Sequence, residues 1–319
     1  MSLAPTNTHL KIPPYTLNAE EPVPFNVYRK DDDGEEYFLI VENGDVFPKS
    51  HSTLLNTSDD LYIQSIDELV YYYYLEKYLG DICQNKHISL IDKSKLIYDT
   101  SSNIIHNLLE KPESKEAIKR TKSLVDNTIN IILSHDTAIK SMMEIGSHDY
   151  YTYTHSVDVA VFSIGFANYL KFSYNDILNV GNAAMLHDIG KSKIPNEVIN
   201  KKGKLNQKEF NIIKQHPLYS YEILQFHGEN NDDILKPARN HHEKVQGQGY
   251  PDNLMGHQIH DFAKIIAIAD IFSALTTERS YKEAYHSFEA LQLMKTAMME
   301  EVDKKLLIEF IKFMSLSCR

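Results

Sequence analysis

The sequence predicts a mainly α protein, in which a large all-helical domain follows a small α+β module. Three observations carry this expectation. Strand-like runs are confined to residues 24–63. From residue 152 onward apolar residues recur at helical spacing, and no alternating run interrupts them. With 319 residues, 42% of them hydrophobic, the chain has the material for one large or two moderate packed domains.

Taken in order, residues 1–22 are rich in Pro, Thr and Asn, lack an apolar signal region, and are expected to be a flexible segment. Residues 23–85 form the α+β module. Phe25-Asn26-Val27-Tyr28 and Tyr37-Phe38-Leu39-Ile40-Val41 read as strands around the turn Asp31-Asp32-Asp33-Gly34. Glu42-Asn43-Gly44-Asp45 is a second turn, and Asp60-Leu61-Tyr62-Ile63 a third short strand. A helix over 66–83 contains the run Tyr71-Tyr72-Tyr73-Tyr74, expected to pack rather than to stack on a ligand. The module is expected to be regulatory or to bind a protein partner.

Residues 86–147 read as a helical connector broken at Pro112. Ile118, Val125, Ile129, Ile132, Ile139 and Met143 make an apolar stripe, either core-facing or the seam of a homodimer. Residues 148–319 form the main domain. Val157, Val161, Ile164, Phe162, Phe166 and Leu170 mark a buried helix, and residues 177–187 another. Lys201-Lys202-Gly203 breaks the pattern. Helices resume over 207–226 and 232–242, and Gly247, Gly249 and Pro251 then impose a loop. Ile265, Ile268, Phe272 and Leu275 mark the next helix, followed by helices over about 287–300 and 302–316.

The formal charge of −11 disfavours a nucleic-acid polymer as partner. No run of about 18 apolar residues indicates a membrane span. Cys83 and Cys318 form no Cys-x-x-Cys pair and are expected to be reduced bystanders in a cytoplasmic protein. An anionic ligand would need a locally positive pocket, which metal ions can provide on an acidic surface. The 15 histidines decide where to look.

His155, His187, Asp188, His216, His241, His242 and Asp270 all fall in or at the ends of predicted helices of the main domain. Imidazole nitrogen and carboxylate oxygen suit Zn, Fe, Mn or Ni, and without cysteine a thiolate zinc site is excluded. Neighbours on a helix point about 100° apart, so an adjacent His-Asp or His-His pair reaches two ions more readily than it chelates one. Five His and two Asp exceed what one ion with an open position can use; they suit two ions about 3.5–4 Å apart.

The quoted motifs are more specific than their parts. Tyr151-Thr152-Tyr153-Thr154-His155-Ser156, His187-Asp188-Ile189-Gly190-Lys191, His216-Pro217, His241-His242-Glu243 through Gly249-Tyr250-Pro251, and the segment from Ala269-Asp270 to Arg279 together resemble the HD-GYP family of metal-dependent phosphodiesterases. The resemblance spans about residues 148–300. It implies an all-helical HD-type catalytic domain that hydrolyses the bacterial second messenger cyclic di-GMP with two divalent ions, Fe or Mn, with Zn and Ni as alternatives. It further implies that His155, His187, Asp188 and Asp270 hold one ion, and that Asp188 bridges to a second held by His216, His241 and His242. A bridging hydroxide would attack phosphorus. Lys191 would bind a phosphate oxygen and stabilise charge in the transition state, with Arg279 and Lys282 as phosphate contacts and Gly249 and Tyr250 beside the substrate. The family commonly has Asp where this chain has Gln246 and Ser273, and Pro where it has Ser280. These departures fall on substrate handling. They keep two other readings open: a cyclic-dinucleotide receptor with little turnover, and a phosphohydrolase of another nucleotide. Tyr151 stands where members with a third ion carry Glu, which favours two ions over three.

Overall fold

The computed structural model describes residues 8–18, 20–31, 33, 36–47, 60–135, 137–146, 152–278 and 284–317. Asp32 and Gly34 of the first expected turn, Tyr151, Arg279, Ser280, Lys282 and Cys318 lie outside the described residues. The chain divides into two compact units, residues 1–89 and 90–319.

In the first unit, β1 (His9–Ile12), β2 (Val27–Lys30), β3 (Tyr37–Val41) and β4 (Leu61–Gln64) form one antiparallel sheet in the order β1-β4-β2-β3. Ile12 faces Leu61, Tyr28 faces Tyr62, and a bulge between Val27 and Tyr28 leaves Val27 opposite Val41. β1 lies within the segment expected to be flexible. Its sequence, His-Leu-Lys-Ile, carries too little alternation to stand out, and pairing with β4 holds it. Helix α1 (Glu68–Gln84) buries Tyr71 and Tyr74, whose rings meet Phe25 edge-on at 5.8 and 5.4 Å. The Tyr71 hydroxyl donates to Thr16 Oγ1 (3.0 Å), and Tyr74 accepts from the Asn18 amide (2.7 Å). Tyr73, on the other side of the helix, is exposed.

The second unit is helical: α2 (Leu90–Glu110), α3 (Lys115–Ser134), α4 (Ala138–Gly146), α5 (Thr152–Tyr169), α6 (Tyr174–Leu186), α7 (Asn196–Ile199), α8 (Gln207–Ile213), α9 (His216–Phe226), α10 (Asp232–Asn240), α11 (Asp261–Thr276), α12 (Ser287–Leu293) and α13 (Lys304–Ser317). Helix α5 is buried continuously from His155 to Ala167, because α2, α4, α6, α11 and α13 surround it. Its apolar residues therefore run all round the helix rather than along one stripe. Phe162 and Phe166 anchor it edge-on against Phe272 and Phe310, each at 5.1 Å.

Helices α2, α3 and α4, expected to be a connector, pack within this unit. The stripe from Ile118 to Met143 is broken at His135. Ile118, Val125, Ile129, Ile132 and Ile139 are buried within their own unit, α3 lying on α2 and α6. The helix expected over 207–226 is two helices meeting at Lys214 and Gln215. Pro217, in the first turn of α9, has no amide hydrogen with which to continue α8. Among the described residues no helix is long and apolar enough to cross a membrane.

Candidate metal centre

The chain brings the seven expected ligands together from five helices. His155 lies in the first turns of α5, and His187 caps the C-terminus of α6 with Asp188 next to it. His216 opens α9, His241 and His242 follow α10, and Asp270 comes from the middle of α11. They fall into two groups whose ligand atoms converge, His155, His187 and Asp188, and His216, His241 and His242. Asp270 joins the first group, with Oδ1 2.9 Å from His155 Nε2. Asp188 faces both. Its Oδ1 is 3.0 Å from His216 Nε2, and its Oδ2 is 3.3 Å from His187 Nε2.

Backbone geometry fixes how three of the imidazoles point. His187, His216 and His241 each place Nδ1 2.6–2.9 Å from the carbonyl oxygen three residues earlier, at Ala184, Ile213 and Ala238. A carbonyl only accepts, so Nδ1 carries the hydrogen and Nε2 presents a lone pair to the centre. The lone pairs then crowd one another. His216 Nε2 and His241 Nε2 are 3.2 Å apart, and His216 Nε2 also faces Asp188 Oδ1. His187 Nε2 and Asp188 Oδ1 are buried with no hydrogen-bond partner among the described residues. Converging lone pairs and orphaned buried acceptors fit divalent cations, which would satisfy them all.

The electrostatics agree. Burial pulls His241 well below the usual histidine range, and the neighbouring His242, His187 and His216 add to this. Burial likewise lowers His155 and His242. These three rings are neutral, as ligands must be, whereas His187, which burial would lower, is raised instead by the Asp188 carboxylate and would give up that proton to a bound cation. Burial would raise Asp188 and Asp270, but His187 and Lys191 beside the first, and His155 beside the second, hold both well below the ordinary carboxylate range.

The cluster opens to solvent on one side. The side chains of His155, His187, Asp188 and His216 are at most 2% exposed, against 27% for His242, 13% for Asp270 and 19% for Lys191. Lys191 does not continue helix α6. The α-helix stops at Leu186, residues 189–193 form a 3₁₀ turn, and Lys191 Nζ reaches back to Asp188 Oδ2 at 2.5 Å. Ser220 of α9 secures this turn, its hydroxyl donating to His187 O (2.6 Å) and accepting from Gly190 N (2.9 Å). A side chain at 190 would meet His216 O at 2.0 Å, so only glycine lets the turn approach α9.

The loop after His242 forms one wall. The buried Glu243 carboxylate accepts from Asp252 N (2.6 Å) and Leu254 N (3.0 Å), and Asp252 pairs with Arg239 through two 2.8 Å bonds. A Cβ on Gly249 would lie 2.4 Å from Glu243 Cα. Tyr250, whose peptide to Pro251 is cis, lays its ring on His242 with centroids 4.8 Å apart. Burial, with Asp270 and Asp188 nearby, pushes its phenol up, so it stays a donor.

Two expectations about substrate handling change. Ser273, one turn beyond Asp270, is fully buried and places its hydroxyl 3.0 Å from His155 Nδ1, on the side of the ring opposite the Nε2 that faces Asp270. Gln246 is exposed on the loop, which bridges back through its backbone to Met255. Sequence reading missed the supporting roles of Ser220, Glu243 and Ser273. Only Glu243 left a trace, as a charged residue inside the His-His run that folding buries.

The HD domain family model matches residues 127–306. A cyclic di-GMP phosphodiesterase of Pseudomonas aeruginosa is 34% identical over 171 residues, covering 54% of this chain and 41% of that protein. The 3'3'-cGAMP-specific phosphodiesterase 3 of Vibrio cholerae is 37% identical over 153 residues, covering 48% and 33%. The chain thus spans less than half the length of these relatives. Among solved structures, the HDG"Y"P protein Bd1817 of Bdellovibrio bacteriovorus superposes with a TM-score of 0.66 at 19% identity, over 96% of this chain and 99% of that one. That likeness is one of fold.

Proposed function

Because the chain belongs to the HD domain family, in its HD-GYP branch, we propose that it is a metal-dependent phosphodiesterase opening cyclic di-GMP. The observation that carries the reading is the gathering of five His and two Asp side chains into two adjoining groups, with the tautomers of His187, His216 and His241 fixed so that Nε2 faces the cluster. His155, His187, Asp188 and Asp270 would hold one ion, and His216, His241, His242 and the second oxygen of Asp188 another. Fe and Mn suit this nitrogen and oxygen set, with Zn and Ni as alternatives. When bound, such a pair supplies Lewis acidity and a nucleophilic water at neutral pH.

The chain's own groups do the rest. Asp188 fixes the spacing of the two halves. Lys191, on the open side, turns its ammonium from Asp188 toward a phosphate oxygen and offsets charge developing there. The Tyr250 phenol and the backbone around Gly249 border the same opening and orient the substrate. Arg279 and Lys282 supply further phosphate contacts. The enzyme acts in the cytoplasm, and the β-sheet unit binds a protein partner that regulates it.

One observation favours slow turnover. The neutral Ser273 hydroxyl behind His155 polarises that ligand less than a carboxylate would. The test is anaerobic loading with Fe or Mn, elemental analysis, and product analysis with cyclic di-GMP and 3'3'-cGAMP. Linear dinucleotide or GMP from cyclic di-GMP supports the reading, and a preference for 3'3'-cGAMP reassigns the substrate within the same chemistry. Tight binding without product in metal-confirmed protein makes the chain a receptor.

A further inference from the structure

Lys214 occupies the corner between α8 and α9, two residues before His216. Its ammonium lies 5.0 Å from the centroid of Tyr250 and 5.4 Å from that of Phe210, so one cation sits against two aromatic rings. Tyr250 in turn rests on His242, a ligand on the open side of the cluster. Lys214 therefore stands two ring contacts from the centre, along its mouth. Its ammonium has neither a hydrogen bond nor a carboxylate within ion-pair distance among the described residues. By contrast, Lys191 is engaged with Asp188, Lys193 reaches Glu222 and Lys244 reaches Glu301. Phe210 is 42% exposed, leaving apolar surface next to the charge.

A cyclic dinucleotide carries two phosphates on one macrocycle and two purines beside them. While one phosphate is cleaved at the His–Asp cluster, the other must rest elsewhere on the same opening. A cation–π contact is weaker than a charge-assisted hydrogen bond to phosphate, so an ammonium held only by rings yields to an anion. We propose that Lys214 binds the phosphate that is not being cleaved, with Phe210 and Tyr250 offering ring faces to a purine, and that it thereby makes the site selective for dinucleotides. This rests on the phosphodiesterase reading above.

The experiment compares the full chain, Lys214→Gln and Lys214→Arg, all loaded with Mn, on cyclic di-GMP and on bis(p-nitrophenyl) phosphate, which has no second phosphate. Lys214→Gln should raise KM for cyclic di-GMP about tenfold with little change in kcat, the loss of one charge-assisted hydrogen bond. Lys214→Arg should restore most of that loss, and KM for the small diester should stay within about twofold. An unchanged KM for cyclic di-GMP overturns the proposal. So does an equal rise on both substrates, which would make Lys214 a mere support for Tyr250. If the full chain cleaves the small diester but no cyclic dinucleotide, the phosphodiesterase reading fails separately. Calorimetric binding of cyclic di-GMP then decides: weaker binding by Lys214→Gln sustains the role of Lys214, and equal or absent binding ends it.

Discussion

Asp188 turns one oxygen toward each half of the cluster, so it is the residue whose loss should be felt by both. Asp188→Asn is expected to keep the helical fold, read by circular dichroism, and to lose both ions, read by elemental analysis after desalting. Retention of one ion would show that the halves are independent. Ser273 allows the opposite change. Ser273→Asp would place a carboxylate on His155 Nδ1, making the imidazole a stronger donor. Affinity for the metal should rise about tenfold in competition with a chelator, and an unchanged affinity would mean that the contact is incidental. The seven clustered side chains could be singled out from the sequence because each sits in a distinctive local motif. Ser220 and Ser273 could not, because a hydroxyl becomes a supporting group only once folding sets it against a distant chain segment, 33 residues from His187 and 118 from His155.

At the scale of elements, the loop after α10 is held by one buried carboxylate. Replacing Glu243 by Ala leaves the amides of Asp252 and Leu254 without their acceptor, costing the loop about 1–3 kcal/mol per amide that stays buried. Hydrogen exchange at 252 and 254 should quicken and KM should rise, while metal content holds; protection equal to the parent would show that Arg239 alone fixes the loop. Which elements were legible follows from how each is stabilised. Helix α6 and the helices beyond it carry their own apolar spacing, and Ser173 caps α6 locally. β1 is made by its partner, and no local signal announces it. The breaks at His135 and at Lys214 with Gln215 went unread because the apolar spacing runs on across them. What turns the chain there is how each helix must pack.

At the scale of the molecule, the boundary between units lies before α2 rather than after α4. A fragment of residues 90–319 should be soluble, helical and able to bind metal. One starting near 115 removes α2, which packs on α3, α4 and α5, and should aggregate. Equal behaviour of the two fragments would make α2 dispensable. The same helix carries a proton-linked contact. The Tyr98 hydroxyl donates to Asp158 Oδ1 (2.9 Å), and burial pushes the Asp158 carboxyl up to about 8 from an ordinary 3.8. Between these values the folded state holds a proton that the unfolded chain has released, so stability falls as pH rises through that window. Asp158→Asn removes the dependence. Its stability relative to the parent, measured by denaturant unfolding, should climb from about pH 4 to about pH 8 and then level; a flat difference would show the carboxylate to be ionised in the fold.

The inward-facing lone pairs of His187, His216 and His241 have a consequence for the protein's lifetime. Without a cation the core of the larger unit holds repelling electron pairs at close range, and the folded state is less stable for it. An ion removes that repulsion only in the folded chain, since its ligands come from positions as distant as 155 and 270. Resistance to unfolding therefore rises with the logarithm of free metal concentration. Proteolysis of the unfolded chain would be slower where the ion is abundant, so the supply of the ion would set how much of this protein persists.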